Sequence, residues 1–313
     1  MKSEEKASLV LRPPLRDRIC VSFSGGKTSA FLRYKLGEVL GSQKEIVTIF
    51  ANTGCEHEKT LEFVQRCSDH YGWNVVWVEA VVNPGHGNGT THRVVNFDSA
   101  DRSGRPFEDM IKEYGLPGPG FLHCTRELKD RPIASYLRSL GWQPRARSIA
   151  IGIRGDEIDR IAPTNFQKGF VYPLSDWGVT KTDVLDFWAK QPFTLDLPEH
   201  YGNCTWCWKK SPRKLMTLAK TDPSVFDFPA RMESLYRSAG AGDQERFFFR
   251  GRKLTGDILR DAKTLSFDAF VDGQFPDWNV DLDVGGSCGE SCEIGADLYM
   301  EEEEDEPFSL QYS

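Results

Sequence analysis

Short apolar runs alternate with stretches of helical periodicity through the first half of the chain. Ile19, Val21 and Phe23 predict a buried strand that runs into a turn, Ser24-Gly25-Gly26-Lys27. Phe31, Leu32, Leu36, Val39 and Leu40 then recur at helical spacing, which predicts a helix over 30–40. Glu45–Ala51 predicts a second strand. Glu58–Cys67 predicts a second helix through Leu61, Val64 and Cys67, and Asn74–Val82 a third strand. This alternation predicts parallel βαβ units with right-handed crossovers. In such sheets ligands bind beyond the carboxyl ends of the strands, where Ser24 and Thr53 fall.

Pro84–Gly120 breaks the pattern, being rich in Gly, Pro, His and Asn around one helical piece at Pro106–Tyr114. Its His86, His92, Arg93, Arg102 and Arg105 suit a substrate-facing lid or a solvated insertion. Regular patterning resumes with a helix at Ile133–Leu140 and a fourth strand at Ser148–Ile153. After Val171–Leu174 comes a helix at Val184–Lys190, capped by Thr182 or Asp183. Pro212–Ala262 reads as mostly helical, and the residues after Asp281 as a Gly-, Cys- and acid-rich tail. The chain thus divides into an extension (1–18), an α/β domain (19–211), a smaller helical region (212–280) and the tail (281–313).

The first turn has the makings of an anion site. Gly25 and Gly26 let backbone approach a ligand closely, and Ser24, Thr28 and Ser29 supply hydroxyls. The N–H groups of the helical turn that follows lack internal partners, and Lys27 adds a charge. Phosphate oxygens suit all of these donors, although the same residues could form an ordinary Gly-rich turn. A Walker A loop is excluded, because Val21 stands where that pattern needs its first glycine.

Composition narrows the setting. In 313 residues, 39% hydrophobic and 27% charged content is a normal globular balance. No apolar run is long enough to cross a bilayer, and Met1–Arg18 lacks a signal peptide's apolar stretch. These features point to a cytoplasmic protein, whose eight cysteines are thiols or metal ligands rather than disulfides. The net charge of -7 does not indicate a nucleic-acid substrate, although the acidic run Glu301–Glu306 carries much of it.

Five segments in fixed order add a resemblance. They are S-G-G-K-T-S (Ser24–Ser29), N-T-G-x-E (Asn52–Glu56), C-T-R-E-L-K-D-R-P (Cys124–Pro132), G-I-R-x-D-E-x-x-R (Gly152–Arg160) and Y-P-L-S-D-W (Tyr172–Trp177). Over Ile19 to Ser211 the chain resembles the phosphoadenosine phosphosulfate (PAPS) reductase family of PP-loop proteins, within the adenine-nucleotide α-hydrolase superfamily. That family includes adenylyl-sulfate reductases and the ATP-using sulfur-transfer enzymes related to DNA phosphorothioation. The resemblance implies a three-layer α/β/α fold with a parallel, roughly five-stranded sheet and adenine nucleotide at the strand ends. It implies that Ser24, Gly25, Gly26, Lys27, Thr28 and Ser29 hold phosphates, with Mg²⁺ accompanying ATP. Asn52, Thr53, Gly54 and Gly152 would border the nucleotide, and Lys129, Arg154 and Arg160 would neutralise anionic groups. Lys27, Lys129 and Arg154 are the candidate catalytic residues. Salt bridges to Asp156, Glu157 or Asp159 are the structural alternative for the two arginines.

Two departures shape the chemistry. Thr28 stands where many PP-loops carry an acid. The reductases' nucleophilic cysteine segment, E-C-G-[IL]-H, is missing, and the tail offers only Cys288 and Cys292 in acidic surroundings that do not favour a thiolate. In adenylyl-sulfate reductases a tandem Cys-Cys and a later C-x-x-C hold a [4Fe–4S] cluster. Here His123 replaces the first of the tandem pair, leaving Cys124 with Cys204 and Cys207. By spacing alone a zinc half-site or a redox pair also fits a lone C-x-x-C. The fourth ligand is then Cys288, Cys292 or His123, with the tail thiols ranked first, while Cys20, Cys55 and Cys67 read as packing residues. The implied activity is ATP-pyrophosphatase-type sulfur transfer in preference to sulfite-releasing reduction. Its partner is a sulfur donor or thiol-reductant protein; the alternative is a nucleotide-sensing module without turnover.

Overall fold

The computed structural model describes residues 14–85, 88–119, 121–161, 164–240 and 245–273. Its centre is a six-stranded, mostly parallel sheet of β1 (Arg18–Ser22), β2 (Glu45–Asn52), β3 (Val76–Val82), β4 (Thr90–Val95), β5 (Arg147–Ala150) and β6 (Phe170–Val171). The strands lie in the order β4-β3-β2-β1-β5-β6, and the pairs β1–β2, β2–β3, β1–β5 and β5–β6 are parallel.

The sixth strand corrects the sequence reading. β4 lies inside the stretch expected to be irregular and pairs antiparallel with β3 from Trp77↔Val95 to Val82↔Thr90. This part of the segment is therefore sheet edge. Arg93 on it is tied to Glu79, and His92 Nδ1 lies 2.8 Å from Ser135 Oγ. Arg102 pairs with Glu58 and Arg105 approaches Asp101, while His86 falls outside the described residues.

Alternation along β1 sorts the core. Ile19 and Val21 face a cluster with Phe31, Leu32 and Leu36 of α1 (Lys27–Leu40), Leu61 and Val64 of α2 (Glu58–Tyr71), and Trp188. Cys20 points to the other face, into a cluster with Ile49, Val78, Ile133 and Leu137. Helices thus cover both faces of the sheet, an arrangement compatible with three layers. Leu32 and Leu36 are fully buried, which explains why the helical stripe was legible in the sequence.

The remaining helices are α3 (Arg105–Tyr114), α4 (His123–Thr125), α5 (Arg131–Ser139), α6 (Thr164–Gln167), α7 (Pro173–Asp176), α8 (Lys181–Ala189), α9 (Pro212–Thr221), α10 (Asp227–Tyr236) and α11 (Thr255–Thr264). α8 starts earlier than expected, because Thr180, rather than Thr182 or Asp183, is its cap; Thr180 Oγ1 accepts the Asp183 N–H. Helices α9 to α11 pack with α3 and with Cys204–Trp208 in a third apolar cluster beyond the end of β3. The cysteine segment therefore shares a core with the C-terminal helices.

Candidate functional site

Two cavities lie at the carboxyl end of the sheet. The first forms where β1 hands over to α1. The helix begins at Lys27, ahead of the expected Ala30, with Gly26 as its N-cap. No side chain caps that end among the described residues, and no acid sits in its first turn. The N–H groups and the positive end of a 14-residue helix are thus presented together.

Gly25 has φ +80°, and a Cβ there would stand 2.6 Å from Thr60 Cγ2. No other residue fits this turn without strain. The Ser24 N–H donates to Ser29 Oγ (3.2 Å), and Ser29 Oγ–H donates to the Gly26 carbonyl (3.1 Å), so hydroxyls brace the loop from inside. At Gly152 a Cβ would come within 3.1 Å of Ser29 Cα, so the chain leaving β5 lies directly against the first turn of α1. Ser24, Gly25, Gly26 and Lys27 line this cavity with Lys181, Glu199, Asn203 and Asp272.

Arg154 follows. It is buried, and its Nη1 donates to Thr28 Oγ1 (3.2 Å) while its Nε donates to Asp156 Oδ1 (2.9 Å). It therefore touches the loop and also makes the structural ion pair that the sequence allowed. Arg160 pairs with Glu157, which also faces Arg154 at 3.4 Å. Neither arginine lines either cavity among the described residues.

Lys181 and Lys214 hold Glu199 at 2.7 and 2.9 Å. Burial pushes the Glu199 carboxyl up, but the two ammonium groups more than offset this and bring it down to about 2. A depressed carboxyl stabilises the fold above its ordinary range, and that contribution is lost as pH falls from about 4.5 toward about 2. The shift is worth on the order of 3 kcal/mol. Glu199→Gln is accordingly expected to melt several degrees lower at pH 7 and to show a shallower acid-unfolding profile. Superimposable pH–melting curves for the two proteins would refute the role.

The second cavity brings together the three cysteines that the sequence singled out. Cys124, Cys204 and Cys207 line it with Thr53, Lys129, Lys209, Trp206 and Trp208. Cys124 comes from α4, which continues through a π-helical turn, Arg126–Asp130, into α5. The widened turn brings residues five apart to one side, which puts Lys129 on the cavity beside Cys124. Cys204 and Cys207 form a tight turn closed by the Cys207 N–H to the Cys204 carbonyl (2.9 Å). Lys210 holds that turn from below, donating to the carbonyls of Gly202 (2.6 Å) and Cys204 (3.0 Å). Lys209 and Lys210 are both buried, against the usual habit of lysine. The indole N–H groups of Trp206 and Trp208 are buried without a hydrogen-bond partner among the described residues.

The strand-end loop after β2 borders this cavity rather than the first. Thr53 donates to Glu56 from its N–H (3.0 Å) and its hydroxyl (2.8 Å), and Thr53 Oγ1 lies 3.4 Å from Cys204 Sγ. Asn52 is fully buried, its amide donating to Glu79 (2.7 Å) and to the Asp101 carbonyl (2.8 Å), and its Oδ1 accepts the Gly54 N–H. Asn52 therefore positions Thr53 and Gly54. One loop reaches both cavities, since Gly202 and Asn203 line the first and Cys204 the second.

Other sequence candidates fall elsewhere. His123 is buried, with Nε2–H donating to the Gly115 carbonyl (2.9 Å). Burial brings its imidazole down to about 4. Cys20 and Cys67 are fully buried packing residues, as read, and burial pushes the Cys20 thiol up to about 12. Cys55 is not on a strand or helix: it is half-buried in the loop after β2. Cys288 and Cys292 lie outside the described residues. The sequence reading missed Lys181, Lys209, Lys210, Trp206 and Trp208. Only their place could have flagged the last four, Trp206 inside the C-x-x-C and Trp208-Lys209-Lys210 directly after it.

No protein-family model matches the chain. It is 33% identical over 282 residues to the uncharacterized nin region protein ORF290 of Escherichia phage lambda, covering 88% of this chain and 94% of that protein. Two uncharacterized proteins of Methanocaldococcus jannaschii share shorter stretches. MJ0973 is 24% identical over 178 residues (55% of this chain, 35% of that protein), and MJ0066 is 26% identical over 123 residues (39% and 20%).

Proposed function

The chain belongs to the family of the phage lambda nin region protein ORF290, and for it we propose a PP-loop enzyme of the PAPS-reductase-like type that binds adenine nucleotide and transfers sulfur. The observation that carries this reading is that one loop reaches both cavities. Gly202 and Asn203 line the cavity at the Ser-Gly-Gly-Lys helix start, and the next residue, Cys204, lines the cavity that holds the three cysteines. Phosphates at Ser24–Ser29 would leave the nucleotide's reacting end facing the thiols. In this reading the helices on the two faces of the sheet are the outer layers of the superfamily's three-layer fold.

A [4Fe–4S] cluster fits the second cavity on two grounds. Three cysteines line it together with Trp206 and Trp208, whose buried indole N–H groups lack hydrogen-bond partners among the described residues, and N–H donors stabilise cluster and thiolate sulfur. Lys129 and Lys209 at the same cavity would offset the negative charge of a thiolate-ligated cluster. Among the described residues no three His, Cys, Asp or Glu side chains converge as a single-ion site requires. A cluster instead takes its thiolates on different irons, around a body of several atoms. When bound, the cluster supplies an iron–sulfur surface for sulfur or electron chemistry. Cys124, Cys204 and Cys207 would hold it, and Lys210 would fix the turn that carries two of them.

Of the two reactions open to such an enzyme, the segments present favour one. Without an E-C-G-[IL]-H segment, transfer of sulfite to a tail cysteine has no matching nucleophile. ATP-driven transfer balances without one. The acceptor oxygen attacks the α-phosphorus and pyrophosphate leaves; a sulfur nucleophile then displaces AMP from the adenylated acceptor. Lys27 at the helix start and Arg154 behind Thr28 would stabilise charge on the departing phosphates. Mg²⁺ would arrive with ATP, and the sulfur donor would be a separate protein or thiol.

A ligand that binds only the native state raises its melting temperature. ATP is expected to raise the melting temperature of anaerobically purified protein more than PAPS does, and pyrophosphate to appear once an acceptor is supplied. PAPS-dependent sulfite release that disappears in Cys288→Ser or Cys292→Ser would restore the reductase reading. Binding of ATP without turnover for any acceptor would favour a sensing module.

A further inference from the structure

The three thiols of the second cavity leave a four-thiolate cluster one ligand short, and the described residues offer a fourth. Cys55 follows the Thr53–Gly54 turn at the carboxyl end of β2 and is packed against the apolar cluster that contains Cys204, Trp206 and Cys207 and that also receives Cys124. Its segment is locked to the C-x-x-C turn. Glu56 and Cys204 form an antiparallel bridge, and Thr205 donates to the Cys55 carbonyl from its N–H (3.0 Å) and its hydroxyl (3.3 Å). The Trp206 indole N–H faces the Cys55 thiol without meeting hydrogen-bond geometry.

The alternatives are placed less well. Neither His123 nor Cys55 is among the residues that line the cavity; His123 donates its Nε2–H to the Gly115 carbonyl and, among the described residues, no backbone bridge ties its segment to the C-x-x-C turn, as Glu56↔Cys204 ties that of Cys55. Cys20 and Cys67 belong to the two clusters that pack on the sheet faces. We propose that Cys55 supplies the fourth thiolate of the cluster, in place of the first cysteine of the tandem pair that His123 displaces. The assignment rests on the iron–sulfur reading above and replaces the tail thiols as the ranked ligands. The N-T-G-C-E turn then has two roles, because Asn52 and Glu56 hold the loop that delivers a ligand as well as the nucleotide's border.

The test is anaerobic reconstitution of the full chain with iron and sulfide, scored by iron and acid-labile sulfide per chain and by electron paramagnetic resonance. Wild-type protein is expected to hold about four irons. Cys55→Ser and Cys55→Ala should lose at least one of them and give the spectrum of a three-iron cluster or none, while the Cys288→Ser/Cys292→Ser double variant keeps all four. Thiol alkylation of the wild type, read by mass spectrometry, covers the case in which a variant fails to fold. Cys55 should be protected in loaded protein and labelled after the iron is chelated. Full iron content in both Cys55 variants, or labelling of Cys55 in loaded protein, would overturn the assignment while leaving the cluster in place. A wild type that takes up no iron would overturn the cluster reading and this assignment with it.

Discussion

Lys27→Ala is expected to bind ATP at least tenfold more weakly than the parent while melting within a few degrees of it. A charge-assisted hydrogen bond to phosphate is worth about 1.5–3 kcal/mol, which corresponds to roughly ten- to 150-fold in affinity. The fold should tolerate the change because Lys27 is held by its backbone: Trp188 Nε1–H donates to the Lys27 carbonyl at 2.9 Å, and the side chain lines the cavity. Gly25→Ala is the informative contrast. Its new Cβ would meet Thr60 Cγ2 at 2.6 Å in a turn with φ +80°, so this variant should lose both affinity and melting temperature. Isothermal titration beside a thermal melt separates the two. Unchanged affinity of Lys27→Ala for both ATP and PAPS would sink the phosphate assignment.

What the sequence made legible follows from which contacts are local. Ile19/Val21 against Cys20, and the stripe Phe31–Leu32–Leu36, encode their faces within a few residues, so the parallel strands and first helices could be read directly. β4 could not. Thr90–Val95 is an edge strand with mixed polarity, it sits among glycines and prolines, and its pairing comes from β3. The Ser-Gly-Gly-Lys turn and its helix were legible because turn, glycines and helix start are contiguous. The cysteine-lined cavity was legible in part, since the C-T-R-E-L-K-D-R-P segment at Cys124 and the C-x-x-C stand out in the sequence on their own. Cys55 was read as core because the C-x-x-C segment it packs with is distant in the chain, and a single strand-like bridge, Glu56↔Cys204, joins the two segments. Lys209 and Lys210 gave no signal beyond their adjacency to the C-x-x-C: a lysine in sequence reads as surface, and the carbonyls that receive Lys210 come from the folded turn.

The other large effect expected is on iron. Cys124, Cys204 and Cys207 reach one cavity from two unconnected segments, the α4–π-turn–α5 helix and the loop before α9. Each would bind a different iron, so losing any one should cost most of the cluster rather than a fraction of its affinity. Anaerobically prepared protein should be brown with broad absorbance, and serine at any of the three positions should bleach it. His123→Ala should stay brown, because Cys55 rather than His123 is assigned the fourth position and the His123 Nε2–H is held by the Gly115 carbonyl. Lys210→Met sits between these outcomes. It removes the ammonium that ties the carbonyls of Gly202 and Cys204 together without touching a thiol, so iron should load but leave faster under a chelator. Iron content and chelation rate across the series separate ligands from supports. A colourless wild type carrying one zinc per chain would keep these thiols as ligands and replace the metal, and three serine variants that stay brown would remove them from the site altogether.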